Sequence, residues 1–257
     1  GRSGSGKSTL LSMLAGMLAP TSGTVLLDGA DLYSLDERSR SRLRNAKIGL
    51  VPQGHTALRA LSVLDNVLLP SVLYSRRRPP RRRAESLLEA VGIAELARVG
   101  PHELSGGELR RMAVARALLM EPGVVLADEP TAGLDPEERI RFRTLLAGLG
   151  ADRTVILSTH ILDDVAQTCP YVFVLGRGRT RYDGPTSGLI DAARGRTWLT
   201  DPRGGPLPEH VAVVNATTTP EGTQYRIVAD TPPDGASPVE PSLEDGYMAL
   251  TIDKERS

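Results

Sequence analysis

Apolar residues recur at helical spacing near the start of the chain, and further on they gather into short continuous runs. The spacing predicts helices over 10–18 and 109–120. Continuous apolar runs at 48–51, 124–127 and 154–158 predict strands that are buried on both faces. The remaining predicted elements are a strand at 24–27, an interrupted helical stretch at 62–100, helices at 136–149 and 161–168, and a hairpin over 171–182. This alternation is typical of an α/β fold with a mostly parallel sheet.

The composition changes near Gly195. Residues 201–257 are rich in Pro, Gly and Thr and carry more acidic than basic side chains. Three short strands are predicted there, around 198–199, 211–214 and 225–228. We therefore predict one large domain over 1–194 and a small accessory subdomain over 195–257. A helical subdomain over about 60–120 is predicted to be inserted in the large domain.

Charge and cysteine content exclude several classes of protein. The 257 residues have a formal net charge of zero, so no general attraction to nucleic acid is expected, and none is predicted as a partner. The single cysteine, Cys169, excludes a disulfide framework. The best candidate for a membrane helix, 63–74, is short and contains polar residues. We therefore expect a soluble protein whose membrane-spanning partner, if it has one, is another chain.

The first nine residues, GRSGSGKST, have the spacing of a phosphate-binding P-loop. The glycines allow a tight turn whose backbone N–H groups point at anionic oxygens. Lys7 is predicted to reach the β- and γ-phosphates, and the Ser8 hydroxyl to ligate Mg²⁺. The predicted nucleotide-binding residues of this loop are Gly1, Ser3, Gly4, Ser5, Gly6, Lys7, Ser8 and Thr9.

Two further motifs carry candidate chemistry. Ser105, Gly106 and Gly107 precede a predicted helix and form a second candidate anion site, although such a sequence also serves as a simple helix cap. The apolar strand 124–127 ends in Asp128 and Glu129. Asp128 is predicted to hold Mg²⁺ and Glu129 to polarise an attacking water. The alternative for this pair is two solvated acids at a strand end.

Six motifs in order resemble the ATP-binding subunit of an ABC transporter. They are the P-loop, the Q-loop GLVPQ ending at Gln53, the signature LSGGE beginning at Leu104, the strand VVLADEP, the D-loop TAGLD ending at Asp135 and the switch STH ending at His160. The resemblance covers residues 1 to about 185. It implies a P-loop NTPase fold, ATP and Mg²⁺ as ligands, and ATP hydrolysis.

The resemblance also implies how the residues work together. Two subunits, identical or paralogous, pair head to tail, so that Ser105, Gly106 and Gly107 of one contact the γ-phosphate held by Lys7 of the other. Gln53 contacts Mg²⁺ or the lytic water, Asp135 organises the opposite site, and His160 binds the γ-phosphate. The predicted catalytic residues are thus Glu129, His160, Gln53 and Asp135, and the predicted Mg²⁺ ligands are Ser8, Gln53 and Asp128. A separate transmembrane permease subunit would hold the protein at the cytoplasmic face of the cell membrane.

The chain ending around 241–247 resembles ATPases of ABC-2 type exporters, although Gly246 replaces their usual aliphatic residue. The stretch 31–70 is more similar to lipoprotein-releasing and macrolide-exporter ATPases. The chain ending favours export, and the two similarities together leave the substrate class open. Two alternatives remain: an ABC ATPase in a non-transport role, and a nucleotide-gated interaction module with negligible turnover. Glu129 and His160 argue against the second.

The resemblance further implies a strand and an adenine-stacking aromatic residue upstream of Gly1, and restoring them is expected to raise ATP affinity. Glu108 stands where many family members have Gln.

The arginine-rich run 76–83 is interpreted as a solvated loop, with contact to anionic lipid as the alternative. His55, His102 and His210 have no metal-like spacing, so no metal other than Mg²⁺ is predicted.

Overall fold

A computed structural model describes residues 4–54, 56–74, 80–201, 211–220 and 222–255. The chain divides into two compact units, one of residues 6–160 and one of residues 161–257 together with residues 1–5. The division predicted between residues 194 and 195, and the helical subdomain at about 60–120, stay predictions. No helix in the described ranges combines the length and the apolar character needed to cross a bilayer.

Unit 6–160 alternates helices and strands. Its elements are α1 (Lys7–Leu14), β1 (Leu26–Leu27), β2 (Ala30–Asp31), α2 (Glu37–Lys47), β3 (Ile48–Val51), α3 (Val63–Tyr74), α4 (Arg81–Ala90), α5 (Gly106–Leu118), β4 (Val124–Asp128), α6 (Pro136–Leu149) and β5 (Thr154–Ser158). Strands β3, β4 and β5 form a parallel sheet in that order.

The parallel sheet is covered on both faces, which explains why its strands are continuous apolar runs. Leu126 of β4 packs with Leu11 and Ala15 on the side of α1. Its neighbours in β4, Val125 and Ala127, point the other way into the main core. That core also takes buried side chains from α3, α4, α5 and α6. Because β3, β4 and β5 are parallel, their C-terminal ends lie at the same edge of the sheet. The candidate site lies at this edge.

Helix α2 is absent from the sequence-based prediction. It has no buried residue, so it shows no apolar periodicity. Its start is nevertheless marked by Asp36, whose carboxylate accepts a hydrogen bond from the Ser39 N–H at 2.6 Å. Helix α1 begins at Lys7, directly after Gly6, and ends at Leu14, before the end at residue 18 that the apolar spacing predicts.

The unit that begins at residue 161 contains α7 (Leu162–Thr168), β6 (Tyr171–Gly176), β7 (Arg179–Pro185), α8 (Thr186–Asp191), β8 (Thr197–Thr200), β9 (Ala212–Thr219), β10 (Gly222–Val228), β11 (Ser237–Pro238) and α9 (Leu243–Glu255). Strands β6 and β7 form the predicted antiparallel hairpin. The other four strands form an antiparallel sheet in the order β11, β8, β10, β9.

Helix α9, which the sequence analysis does not predict, connects two small cores. Leu243 packs with Val165, Val174 and Leu189 from α7, β6 and α8. Ala249 packs with Val228 of β10. One helix therefore completes both cores.

Helix α9 approaches α8 backbone to backbone. A Cβ added at Gly246 would lie 2.0 Å from the Leu189 carbonyl oxygen, too close for any side chain. This contact is the physical reason why position 246 requires a glycine.

Arg226 of β10 and Asp245 of α9 form an ion pair in the same unit. Asp245 is fully buried, and its carboxylate accepts from Arg226 Nε at 2.9 Å and from Nη2 at 2.6 Å. The Ser242 N–H and hydroxyl donate to the same carboxylate at 2.6 and 2.7 Å. Burial alone would raise the pKa of Asp245, but these hydrogen bonds outweigh it and the pKa is lowered.

Trp198 and Cys169 are both half-buried in this unit. The Trp198 indole on β8 donates to the Ala229 carbonyl at 3.0 Å, as expected for an anchor of the sheet. Cys169 packs against the core of α7 and α8, and burial raises the pKa of its thiol.

His55, His210 and part of the arginine-rich run lie outside the described residues.

Candidate functional site

The predicted acidic residues lie where two parallel strands end. Asp128 is the last residue of β4 and pairs in register with Ser158, the last residue of β5. Glu129 follows Asp128, and His160 follows Ser158 by two positions. Side chains at the carboxyl edge of an open parallel sheet are where α/β proteins bind ligands.

Glu129 is held in an uncommon backbone conformation. Its φ is +45°, in the left-handed region that a non-glycine residue seldom adopts. Its N–H donates to the Ser158 carbonyl at 3.0 Å and lies 3.2 Å from the Ser158 hydroxyl oxygen. Backbone strain of this kind costs about 1–3 kcal/mol and is typical of functional sites. The neighbouring strand therefore fixes where the Glu129 carboxylate points.

Lys7, Glu129 and His160 meet around one buried carboxylate. Lys7 Nζ lies 3.4 Å from Glu129 Oε1, and His160 Nδ1 lies 2.7 Å from Glu129 Oε2. The Lys7 and Glu129 side chains are 12% and 8% exposed, whereas His160 is 57% exposed. The structure thus brings together three of the predicted site residues, with the imidazole open to solvent.

Asp128 accepts a hydrogen bond from the Ser158 hydroxyl, which orients its carboxylate at the strand end. No group of three or more His, Cys, Asp or Glu side chains in the described ranges could hold a metal ion. Mg²⁺ does not need such a cage, because it usually binds through one or two carboxylates, waters and the phosphates of a nucleotide. Asp128 and the exposed Ser8 suit that kind of binding.

The P-loop has the backbone geometry of an anion cradle. Gly4 and Gly6 have φ values of +77° and +97°, and helix α1 starts at Lys7 with no side chain capping it. The first N–H groups of α1, including those of Ser8 and Thr9, therefore face outward at the positive end of the helix dipole. Ser5 is buried, and its hydroxyl has no hydrogen-bond partner within the described structure. The predicted residues Gly1 and Ser3 lie outside the described residues.

Ser105 caps helix α5. Its hydroxyl accepts from the Glu108 N–H at 3.2 Å, and its own N–H donates to the Glu108 carboxylate at 2.7 Å. That second hydrogen bond lowers the pKa of Glu108. Both Glu and Gln can form this reciprocal cap, so Glu108 is compatible with its position. Helical geometry leaves the N–H groups of Gly106 and Gly107 without intrahelical partners, as an anion site requires.

The signature and the D-loop belong to helices that are tied together. Asp135 caps α6 by accepting from the Glu138 N–H at 2.8 Å. The Glu138 carboxylate pairs with Arg111 of α5 at 3.1 Å. A Cβ at Gly107 would lie 1.6 Å from Glu138 Oε2, so a larger residue there would displace the Glu138 carboxylate from its present position.

Gln53 is exposed and follows strand β3. The neighbouring Pro52 carbonyl accepts a hydrogen bond from Arg110 Nη1 at 3.1 Å. The role of Gln53 at the Glu129 group stays a prediction. The same is true of the head-to-tail contact of Ser105 with Lys7, since one chain is described.

The sequence analysis did not predict that Ser158 and Arg110 hydrogen-bond to residues of the site or beside it. Ser158 contacts both Asp128 and Glu129, and its register opposite Asp128 would have been a usable signal once β4 and β5 were predicted to pair. Arg110 gives no such signal, because its partner is a backbone carbonyl distant in sequence.

Comparison with known proteins places these features in one family. The family described as ABC transporter matches residues 1–132. The lipoprotein-releasing system ATP-binding protein LolD 1 of Rhodopirellula baltica is 46% identical over 160 residues, which are 62% of this chain and 70% of that protein. The methionine import ATP-binding protein MetN of Latilactobacillus sakei is 37% identical over 194 residues, which are 74% of this chain and 56% of that protein.

Two solved structures of a bacterial ABC transporter cassette, MJ0796, share the fold. Its dimer matches with a TM-score of 0.67 at 32% identity, covering 72% of this chain and 82% of that chain. A dimer in a post-hydrolysis state bound to ADP and Pi matches with a TM-score of 0.66 at 32% identity. The predicted P-loop NTPase fold is confirmed.

Proposed function

The chain belongs to the ABC transporter family as an ATP-binding subunit with ATPase activity, and we propose that it powers export through a separate membrane-spanning subunit. The proposal that ATP is hydrolysed at this site rests on the buried Glu129 carboxylate, which lies between Lys7 and His160. The observation that favours export is the 46% identity to a lipoprotein-releasing ATPase.

The geometry supports a division of roles around the γ-phosphate of ATP. Lys7 exchanges its ion pair with Glu129 for contact with the phosphates, which leaves the Glu129 carboxylate to accept a hydrogen bond from the attacking water. The water oxygen bonds to the γ-phosphorus, the bond to the β-phosphate oxygen breaks, and the proton of the water passes toward Glu129. His160 stabilises the charge on the phosphoryl oxygens.

Asp128, Ser8 and Gln53 are the residues that would hold Mg²⁺. When bound, the ion would neutralise charge on the phosphates. The Ser158 hydroxyl keeps the Asp128 carboxylate oriented toward the sheet edge for this purpose.

The second anion site at Ser105, Gly106 and Gly107 serves the ATP of another subunit. The dimeric state of the MJ0796 cassette supports such an arrangement. The Arg111–Glu138 ion pair would move Ser105 and Asp135 together, because it links the helices that they cap. We infer that the partner subunit is a second copy or a paralogue, and that both sit at the cytoplasmic face of the membrane on a permease.

Co-purification tests the transport role. The protein is tagged in its own host, extracted with its membranes and identified with whatever it retains. A multi-span partner supports the proposal, and a ribosomal or cell-division partner contradicts it.

Transport direction needs a second experiment. Cells lacking the gene are complemented either with the natural chain or with Glu129→Gln, and cell extracts and media are compared by untargeted mass spectrometry. Export predicts a compound retained in the cells that carry Glu129→Gln. A compound depleted in those cells would instead indicate import, the function named for the methionine import relative.

A further inference from the structure

Helix α5 holds the chain on both sides of Gln53. Arg110 Nη1 donates to the Pro52 carbonyl, the residue before Gln53, at 3.1 Å. Arg116 Nη1 donates to the Thr56 carbonyl at 2.9 Å, and its Nη2 also donates to the Thr56 hydroxyl. Two guanidinium groups of one helix therefore hydrogen-bond to backbone carbonyls before and after Gln53, the predicted Q-loop glutamine.

Arg110 is placed where a charged side chain is costly to keep. It is 7% exposed, and burial lowers its pKa, an effect opposed by the nearby Asp128 carboxylate. A buried guanidinium is retained where its fixed donors meet specific acceptors. In this protein the acceptor is the carbonyl beside Gln53, and the nearby charge is the predicted Mg²⁺ ligand.

Helix α5 is itself fixed against the strand that leads to Gln53. A Cβ at Gly49 of β3 would lie 2.7 Å from the Ala117 carbonyl oxygen of α5, so the two backbones are in direct contact. The cavity that α5 forms with Pro52, Gly54, Thr56 and Ala57 has a volume of about 10 Å³, too small to hold a further ligand. The chain on either side of Gln53 is therefore held directly against α5.

We propose that Arg110 and Arg116 are positioning residues that set the place of Gln53 from helix α5, whose first turn carries the second anion site. The inference rests on the proposed role of Gln53 in hydrolysis. It adds that a change in the position of Ser105 and its helix reaches Gln53 through two arginine–backbone contacts. Neither arginine touches the nucleotide in this scheme.

A double-mutant cycle tests the proposal on the whole chain. Arg110→Ala is expected to lower kcat roughly tenfold, while the affinity for ATP changes less than about twofold. In a Gln53→Ala background the same change is expected to have little further effect, because a residue that acts through Gln53 has nothing left to position. Arg110→Lys, which keeps the charge and a donor, is expected to recover part of the rate.

Arg83 provides the matched control. It also donates from a guanidinium to two backbone carbonyls, those of Leu118, the last residue of α5, and of Leu119, the residue after it, but not to the chain beside Gln53. Arg83→Ala is expected to change the unfolding midpoint and not kcat. If Arg110→Ala does not fold, the cycle is run with Arg110→Lys and Arg116→Lys, and ATP binding confirms the folded state.

The outcomes separate the two proposals. Equal losses from Arg110→Ala with and without Gln53 overturn the positioning role alone. A Gln53→Ala variant with undiminished kcat overturns the catalytic role of Gln53, and the positioning role with it. A loss of kcat in Arg83→Ala as large as that in Arg110→Ala would show that any damage to α5 suffices, which also overturns the proposal.

Discussion

His160 Nδ1 lies 2.7 Å from Glu129 Oε2, so the histidine that follows β5 and the glutamate that follows β4 share one hydrogen bond. Lys7 Nζ forms an ion pair with the other oxygen of the same carboxylate, Glu129 Oε1, at 3.4 Å. The three side chains come from three separate motifs of the sequence. Their convergence on one carboxylate is the basis of the first two predictions.

Glu129→Gln is expected to lower the steady-state rate of ATP hydrolysis by about 10²–10³-fold, the usual effect of removing one such catalytic group. Binding of ATP should persist, and ATP should accumulate in a dimer that gel filtration detects. The control is Glu137→Gln on the exposed side of α6, which should leave turnover unchanged. Normal turnover in Glu129→Gln would show that another group activates the water.

Lys7→Arg is expected to weaken ATP binding at least tenfold, because a planar guanidinium is a poor substitute for a compact ammonium group at a phosphate cradle. Titration calorimetry with ATP measures the change. Lys47→Arg is the matched control, since Lys47 forms a half-exposed ion pair with Asp28 at 3.1 Å. Equal affinities of Lys7→Arg and the natural chain would contradict the assigned role.

Asp245→Asn is expected to destabilise the unit of residues 161–257 by about 3–5 kcal/mol, because it leaves Arg226 partly buried without its counter-charge. Urea unfolding followed by the fluorescence of Trp198, the only tryptophan, reports on this unit. Asp191→Asn, which breaks the exposed pair with Arg194, should cost at most about 1 kcal/mol. Similar losses in both variants would argue against a special role for the buried pair.

The same pair predicts a pH dependence. The pKa of Asp245 is lower in the folded chain than the value near 3.9 expected when unfolded. The stability that the pair contributes is therefore fully present above about pH 5 and is lost as the pH falls below about 4 through the folded pKa. Unfolding between pH 6 and pH 3 should show a shallower loss for Asp245→Asn than for the natural chain; parallel curves would be inconsistent with this linkage.

Gly246→Ala is expected to destabilise the second unit by about 1–3 kcal/mol or more, because the new Cβ would force α9 away from the Leu189 carbonyl. Gly148→Ala on α6 is the control, as nothing lies within 4 Å of its added Cβ. That change should be neutral or slightly stabilising, since alanine favours a helix more than glycine does. Urea unfolding of both variants makes the comparison.

The sequence predicts the catalytic edge of the fold well because that edge depends on local patterns. The buried runs of β3, β4 and β5 and the acids after β4 are visible without coordinates. Helix α2 is missed because it buries nothing, and its capping residue Asp36 is a weaker signal than periodicity. The contact of Arg110 and the close packing at Gly246 are missed for another reason. Each involves a backbone carbonyl distant in sequence, and such contacts leave no pattern in composition or spacing.

Helix α9 completes two cores of the second unit, and it is the last of that unit's described elements to be synthesised. At about 5–20 residues per second, translation needs roughly 5–20 s to travel from the end of the first unit at residue 160 to the end of α9 at residue 255. During that interval the first unit can already fold, while α7, the β6–β7 hairpin and α8 lack the helix that covers them. The cores of the second unit therefore stay incomplete during that interval, after the unit of residues 6–160 has been synthesised.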